Sequence, residues 1–410
     1  DEEKKAPELR FKGFLDDWEQ RKLREHAKYR RGSFPQPYGN KEWYDGAGSK
    51  PFVQVVDVGD NLRLVVNTKQ KISLLAQSKS VFVPAGKVVV TLQGSIGRVA
   101  ITQYDSFVDR TLLIFDEYQL QTNEYFWAYT IQQKFEIEKQ KAPGGTIKTI
   151  TKEALSDFEV YLPEYEEQNK VGNFFKQLDD TIALHQRMSD KQKKLKANLL
   201  QMMFPRNGEK IPEVRLAGFA EDWAQRTLED ISDKVTEKNK AREFTETLTN
   251  SAEYGIISQS DYFDKDISNI NNIDGYYVVR PDDFVYNPRI SNFAPVGPIK
   301  RNNLNRIGIM SPLYYVFRPK GVDHTFLEKY FETSYWHIFM KMNGDSGARA
   351  DRFAIKDAIL KEMPIPYPIN EEQVKIGIFF NQLDKSIVLH QEKIAHLKIL
   401  KSTLLNKMFI

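Results

Sequence analysis

The chain is written twice, and that duplication limits its fold more than any other feature. Residues 9–23, LRFKGFLDDWEQRKL, return at 214–228 as VRLAGFAEDWAQRTL. Gly13, Phe14, Asp17, Trp18, Gln20, Arg21 and Leu23 reappear as Gly218, Phe219, Asp222, Trp223, Gln225, Arg226 and Leu228. A longer match joins EQNKVGNFFKQLDDTIALHQ, from Glu167, to EQVKIGIFFNQLDKSIVLHQ, from Glu372, with 13 of 20 positions identical. Both matches are offset by 205 positions, half of the 410-residue chain. Between these markers only echoes survive. Gly86-Lys-Val-Val-Val resembles Asp283-Phe-Val-Tyr, Gly97 resembles Gly297, and Lys152-Glu-Ala-Leu resembles Lys356-Asp-Ala-Ile before Leu162-Pro163 and Ile365-Pro366. A fixed frame around a private interior suits two versions of one job aimed at different targets.

Local pattern gives each half the same order of elements. Residues 52–66, 80–101, 276–290 and 307–318 are rich in Val, Ile and Phe, broken by Gly and Pro, and predict strands and turns. Residues 123–140 and 325–342 carry aromatics at helical spacing and predict helices. The matched 20-mers open two long helices. Val171, Phe175, Leu178, Ile182, His185, Leu195, Leu199 and Met202 or Met203 follow a roughly heptad path, as do Ile376, Phe380, Leu383, Ile387, His390, Ile394, Leu397, Leu404 and Met408. His185 and His390 are read as polar seam residues that set register. Each helix, about 38 residues long, would run roughly 57 Å at about 1.5 Å per residue.

Composition removes several chemistries. With no cysteine there is no disulfide, thiolate metal site or thiol nucleophile, and six histidines give little basis for a metal centre. Lys+Arg 59 against Asp+Glu 56 leaves +3, so an anionic partner must be met by local patches. No apolar run nears the ~18 residues of a spanning helix, and Asp1-Glu2-Glu3 is unlike a secretory leader. The expectation is a cytoplasmic protein.

Catalytic motifs fail one by one. Tyr286-Asn287-Pro288-Arg289 imitates the Asn-Pro-Pro-aromatic turn of amino-methyltransferases but lacks the second proline and the stacking ring. It reads as a strand ending in a turn. No phosphate loop of the Gly-x-x-x-x-Gly-Lys-Ser/Thr kind occurs. Gly94-Ser-Ile-Gly97 reads as a tight turn, Glu136-Ile-Glu138-Lys139 as solvated helix charge, and no Gly-x-Ser-x-Gly elbow appears.

Two divergent modules, each opening on Gly-Phe-x-x-Asp-Trp and each followed by a long Glu-Gln-x-Lys-x-Gly-x-Phe-Phe-x-Gln-Leu-Asp helix, resemble the specificity subunit of type I restriction-modification systems. The resemblance spans the whole chain. It implies an α+β fold in which two pseudo-symmetric mixed α/β target recognition domains are separated by a long antiparallel two-helix coiled coil. The implied boundaries are 1–163 and 207–366 for the recognition domains, and 164–206 and 367–410 for the spacer helices. It further implies that each domain reads half of a split double-stranded DNA target. The helices would bind two methyltransferase subunits, and restriction subunits would join the assembled complex. Adenine-N6 methylation and cleavage, with their S-adenosylmethionine, ATP and Mg, would belong to those partners. The competing reading is a duplicated coiled-coil protein-interaction scaffold without sequence-specific DNA binding, which would lack salt-sensitive DNA affinity.

The resemblance does not name base contacts, so candidates follow from side-chain chemistry. Arg, Lys, Asn, Gln and Ser read groove edges or hold phosphates. In the first module these are Arg30, Arg31 and Lys41; Gln93, Ser95 and Arg98; and Lys141, Thr146 and Lys148 around Gly144-Gly145. In the second they are Arg289, Ser291 and Asn292; Arg301 and Asn302; and Asn343, Ser346, Arg349 and Arg352. Candidate contacts to the methyltransferase subunits are Phe174, Phe175 and Leu178 on the first helix and Phe379, Phe380 and Leu383 on the second.

Overall fold

The computed structural model describes residues 6–141, 150, 152–262, 270–345 and 351–410. The chain forms two compact units, residues 1–187 with 391–410, and residues 188–390. The units cut through both long helices, Tyr165–Met202 and Asn370–Met408, so each contains half of each helix. Among the described residues no helix is long and apolar enough to cross a membrane.

In the first unit an antiparallel sheet runs in the order Ala27–Arg31, Leu112–Tyr118, Val88–Thr91, Val99–Ile101. Val88-Val89-Val90 is apolar at every position because both faces are covered. Alternation sends Val88, Val90, Leu113 and Phe115 toward Phe126, Trp127 and Ile131 of helix Glu124–Lys141. Val89, Leu112 and Ile114 face a second, mixed sheet through Val53, Val83 and Val108. In that sheet Lys50–Val53 runs parallel to Ser106–Val108.

The second unit repeats the plan. Its sheet runs Ser232–Lys234, Tyr315–Pro319, Phe284–Tyr286, Ile299–Arg301. Phe284 and Tyr286 pack on Phe326, Tyr330 and Phe331 of helix His324–Glu332, while Val285 packs with Val279, Met310 and Val316. The helical span expected at 325–342 is two helices, because the chain breaks at Thr333 before Trp336–Asn343.

The ends of the long helices complete these cores. In the first unit Phe409 stacks on Phe126 at 5.4 Å and lies 6.3 Å from Trp18 and 5.9 Å from Phe175. In the second, Phe204, the matching residue 205 positions earlier, lies 5.3 Å from Phe326 and 6.2 Å from Trp223. Within each unit the two helix halves are antiparallel. Ile182 packs with Ile394 and Leu397, and Lys401 reaches Asp179 at 2.6 Å. In the other unit Gln192 donates to Ser386 at 2.8 Å and Lys196 reaches Asp384 at 2.7 Å. One seam expectation is corrected: Leu195 is 48% exposed, and the neighbouring seam turns are carried by Gln192 and Lys196 instead. At Lys329 burial opposes the charge, but Glu332 and Asp384 outweigh it and raise its affinity for the proton.

The duplicated signature is an intramolecular clamp. Arg10 donates twice to Glu167, at 2.9 and 2.7 Å, and the Trp18 indole donates to the same carboxylate at 3.2 Å. Arg215 and Trp223 treat Glu372 identically, at 2.7, 2.8 and 3.1 Å. The next residue ties the long helix to the start of the module helix. Gln168 accepts from the Asn123 amide, and Gln373 accepts from that of Asp323. Four residues on comes a glycine, costly by about 1 kcal/mol in a helix interior. A Cβ at Gly172 would lie 2.2 Å from Asn123 Oδ1, and one at Gly377 would lie 3.0 Å from Asp323 Oδ1. At Gly172, where the Phe126 amide nitrogen also lies 2.9 Å away, no side chain fits, whereas at Gly377 the Asp323 and Thr325 side chains would have to give by a few tenths of an ångström.

Each unit also holds a histidine whose proton affinity is lowered, buried in the first unit and half-buried in the second. His26 is fully covered, bonded through Nε2 to Thr122 Oγ1 at 3.0 Å and packed on Tyr118 and Trp127. Burial, helped by Arg21 and opposed by Glu19, pushes its pKa down to about 4. His337 falls to about 4 through burial and Lys341. The unfolded chain binds these protons near pH 6.5, so this stability is present above 6.5 and is lost as pH falls toward 4. Urea unfolding at pH 7.5 and 4.5 should show the loss, up to about 3 kcal/mol at His26. His26→Gln should flatten the part of the profile belonging to the first unit.

Candidate DNA interface

In the first unit several candidates gather at one end of the paired sheets. Arg31 ends its strand opposite Leu113, and the next two residues bond backward, Gly32 to Leu112 and Ser33 to Val108. The hairpin between Val88–Thr91 and Val99–Ile101 comes to the same end, since the Leu92 amide donates to Thr111. Its tip, Gln93-Gly94-Ser95, is exposed, and Gly94 has φ +67, as the tight-turn reading of this segment requires. Between the sheets lies Arg110, which the sequence reading missed. It is exposed over the Tyr38 ring at 5.2 Å, while Tyr38 donates to Asp109. Its signal was a lone arginine in the three-residue turn Asp109-Arg110-Thr111 between strands Ser106–Val108 and Leu112–Tyr118.

Other first-unit candidates stand apart from this cluster. Arg30 is paired with Asp116 at 2.9 Å on the strand surface. Arg98 donates to the Val58 carbonyl and lies 3.6 Å from Asp60. Lys41 is exposed on the turn Lys41–Trp43. The side chain of Lys141, and all of Thr146 and Lys148, lie outside the described residues. Glu136 and Lys139 pair within their helix, as solvated charge would.

The second unit brings two predicted arginines together. Arg289 and Arg352 form an isolated antiparallel bridge, held by amide donation from Ile290 to Asp351 and from Phe353 to Pro288. Both are exposed. Like charges directly opposite across strands are destabilising, and an anion lying over them reverses that sign. Asn287 shapes the bend: its side chain donates to the Asn250 carbonyl and accepts from the Arg289 amide, at 2.8 and 3.0 Å. Beyond it Ser291 and Ala294 close a turn whose tip, Ser291-Asn292-Phe293, is exposed, Phe293 by 76%. That phenyl ring was also missed, its signal being an aromatic inside a polar turn. Asn343 ends helix Trp336–Asn343 and donates to the Phe339 carbonyl. Ser346 and Arg349 lie outside the described residues.

Four choices are corrected by burial. Arg301 is half enclosed, bonded to Asp282 and Thr325 and paired with Glu328, so its fork is spent inside the unit. Asn302, 1% exposed, donates to the Arg280 and Arg306 carbonyls and holds a turn. Phe175 and Phe380 are fully buried in their own units' cores, so neither can touch a partner directly. Phe174, Leu178, Phe379 and Leu383 remain partly exposed.

Arg289→Ala and Arg352→Ala should each weaken reading of one half-site by ~1–3 kcal/mol if the contact is bidentate to a base. Methylome mapping should then show relaxation confined to that half. A contact to phosphate instead predicts uniform weakening and a salt slope shallower by about 1. Full methylation at unaltered sites by both variants would remove this bridge from the interface.

The model of the type I restriction modification DNA specificity domain matches the chain twice, over residues 15–194 and 220–398. The fold is similar to the crystal structure of a type I restriction-modification system S subunit from M. genitalium, with TM-score 0.60, 15% identity and 99% of each chain covered. It is also similar to a chain from work on complex assembly and conformational transition of the type I restriction-modification system. There the TM-score is 0.53 and identity 17%, over 96% of this chain and 97% of the other. Carrying two copies of the domain over most of its length, the chain belongs to the type I restriction-modification DNA specificity family and is the non-catalytic subunit that addresses the enzyme to its DNA sequence.

Proposed function

We propose that each unit reads one half of a split double-stranded DNA target and that each repeat of the frame seats one methyltransferase subunit. The carrying observation is the exact recurrence of the Arg-Glu-Trp clamp around two unlike interiors. One frame used twice suits one partner used twice, while unlike loop ends, Gln93–Ser95 with Arg110 against Arg289 with Arg352, suit two unlike half-sites. Restriction subunits join through the assembled complex. S-adenosylmethionine, ATP and Mg are bound by those partners, and the assembly works in the cytoplasm. Native mass measurement of the reconstituted methyltransferase should give two modification subunits per specificity chain. A one-to-one complex as the stable end point would count against the reading.

A further inference from the structure

We propose that Phe293 and Leu313 make the second unit a reader of thymine, recognised by its 5-methyl group in the major groove of that unit's half-site. This rests on the half-site reading above and adds a base class to it.

The sheet brings both side chains to one end. Phe284–Tyr286 runs antiparallel to Ile299–Arg301 and to Tyr315–Pro319, with Tyr286 opposite both Ile299 and Tyr315. The hairpin after Tyr286 and the turn before Tyr315 therefore project from the same end. The hairpin carries Phe293, 76% exposed, and the turn at residues 311–314 carries Leu313, 60% exposed. Apolar residues exposed singly are ordinary. The first unit shows that this pair is a local choice. Its sheet has the same strand order, and Thr91 lies opposite Leu112 at the matching end. There the two connections present Gln93, Ser95 and Arg110. Hydrogen-bonding groups in one unit are replaced by hydrocarbon in the other.

Neither tip is loose. The hairpin closes at its base, where the Asn287 amide donates to the Pro298 carbonyl at 3.0 Å, and a Cβ at Gly297 would come 2.1 Å from the Asn287 carbonyl oxygen. Ala294 and Val296 are buried on the return limb, and Tyr286 donates to the Val296 carbonyl at 3.0 Å. In the turn the Tyr314 amide donates to the Ser311 carbonyl at 3.1 Å. Side chains on tips held this way lose little backbone freedom on binding.

Charge indicates what lies opposite. Arg289 and Arg352 stand exposed at the foot of the hairpin. Phe293 follows Arg289 by four positions, a reach of at most about 14 Å, close to the ~12 Å width of the major groove. The ring can thus enter the groove while the arginines meet its phosphate border. Hydrocarbon cannot hydrogen-bond to a guanine, adenine or cytosine edge, and the apolar group that base pairs offer there is the thymine methyl. DNA supplies the anion and the methyl side by side.

The test uses the full chain reconstituted with its methyltransferase subunit, on the target found by methylome mapping. Deoxyuridine, which lacks the methyl, replaces each thymine of both half-sites in turn, and affinity is measured by competition at fixed salt. At one or two thymines of one half the replacement should weaken binding about fourfold, the value of one buried methyl. Phe293→Asn with Leu313→Ser should abolish that difference and leave any effect in the other half unchanged. Phe293→Leu should keep it. Hydrogen-exchange protection of Phe284–Tyr286 should show the variants folded. If no methyl effect in either half disappears in the double variant, the proposal is overturned. Loss of a methyltransferase subunit from the double variant would also overturn it, by giving the tips to a protein. A methylated target that is not split into two halves would instead overturn the reading on which the proposal rests.

Discussion

Deleting residues 404–410 is expected to unfold the first unit, although the deletion lies at the opposite end of the chain from that unit's sheets. Leu405, Met408 and Phe409 are buried in its core with Trp18, Phe126 and Tyr129. The same segment accepts a hydrogen bond from the Leu9 amide at the Lys407 carbonyl, 2.8 Å away. Each large apolar side chain contributes ~1.5–3 kcal/mol by burial, and the cavity left behind adds to the loss. Three of them approach the ~5–15 kcal/mol by which a whole domain is stable. Hydrogen exchange should therefore show Val88–Thr91 losing protection while Phe284–Tyr286 in the second unit keeps it. Phe409→Ala alone should cost about 3–5 kcal/mol. Full protection of Val88–Thr91 in the truncated chain would show that the last turn is dispensable.

Matched insertions should change the spacing of the DNA target without changing its sequence. The boundaries between the units fall after Arg187 in one long helix and after His390 in the other. Both helices continue through these points, so inserted residues there leave the contacts inside each unit intact. Four residues at both points add roughly 6 Å of helix, against about 3.4 Å per base pair. The preferred gap between half-sites should lengthen by one or two base pairs, with both half-site sequences retained. Methylome mapping of the double insertion decides the matter. An unchanged gap in an active variant would show that the helices do not set spacing, and altered half-site bases would show that the units do not read independently.

The sequence by itself determined the duplication, the two long helices and the main strands, because these depend on local period. Val88-Val89-Val90 and Phe284-Val285-Tyr286 declare buried strands by continuous apolarity, and the two 20-mers declare helices by their heptad path. The turn at Gly94–Gly97 and the bend after Tyr286 were legible for the same reason, a few adjacent residues being enough. Only the tertiary structure decided what the signature is for. Glu167 is bound by Arg10, 157 residues away, and Asp179 by Lys401, 222 residues away. No local pattern encodes a partner at that distance. Thus Phe175 and Phe380, which look like interface residues in a helix stripe, are core. Arg301 and Asn302, polar and loop-like in sequence, are consumed by internal bonds. The pairing of Arg289 with Arg352 is likewise set by an isolated bridge between loops 63 positions apart, and that geometry, rather than residue type, is what places the two arginines opposite each other.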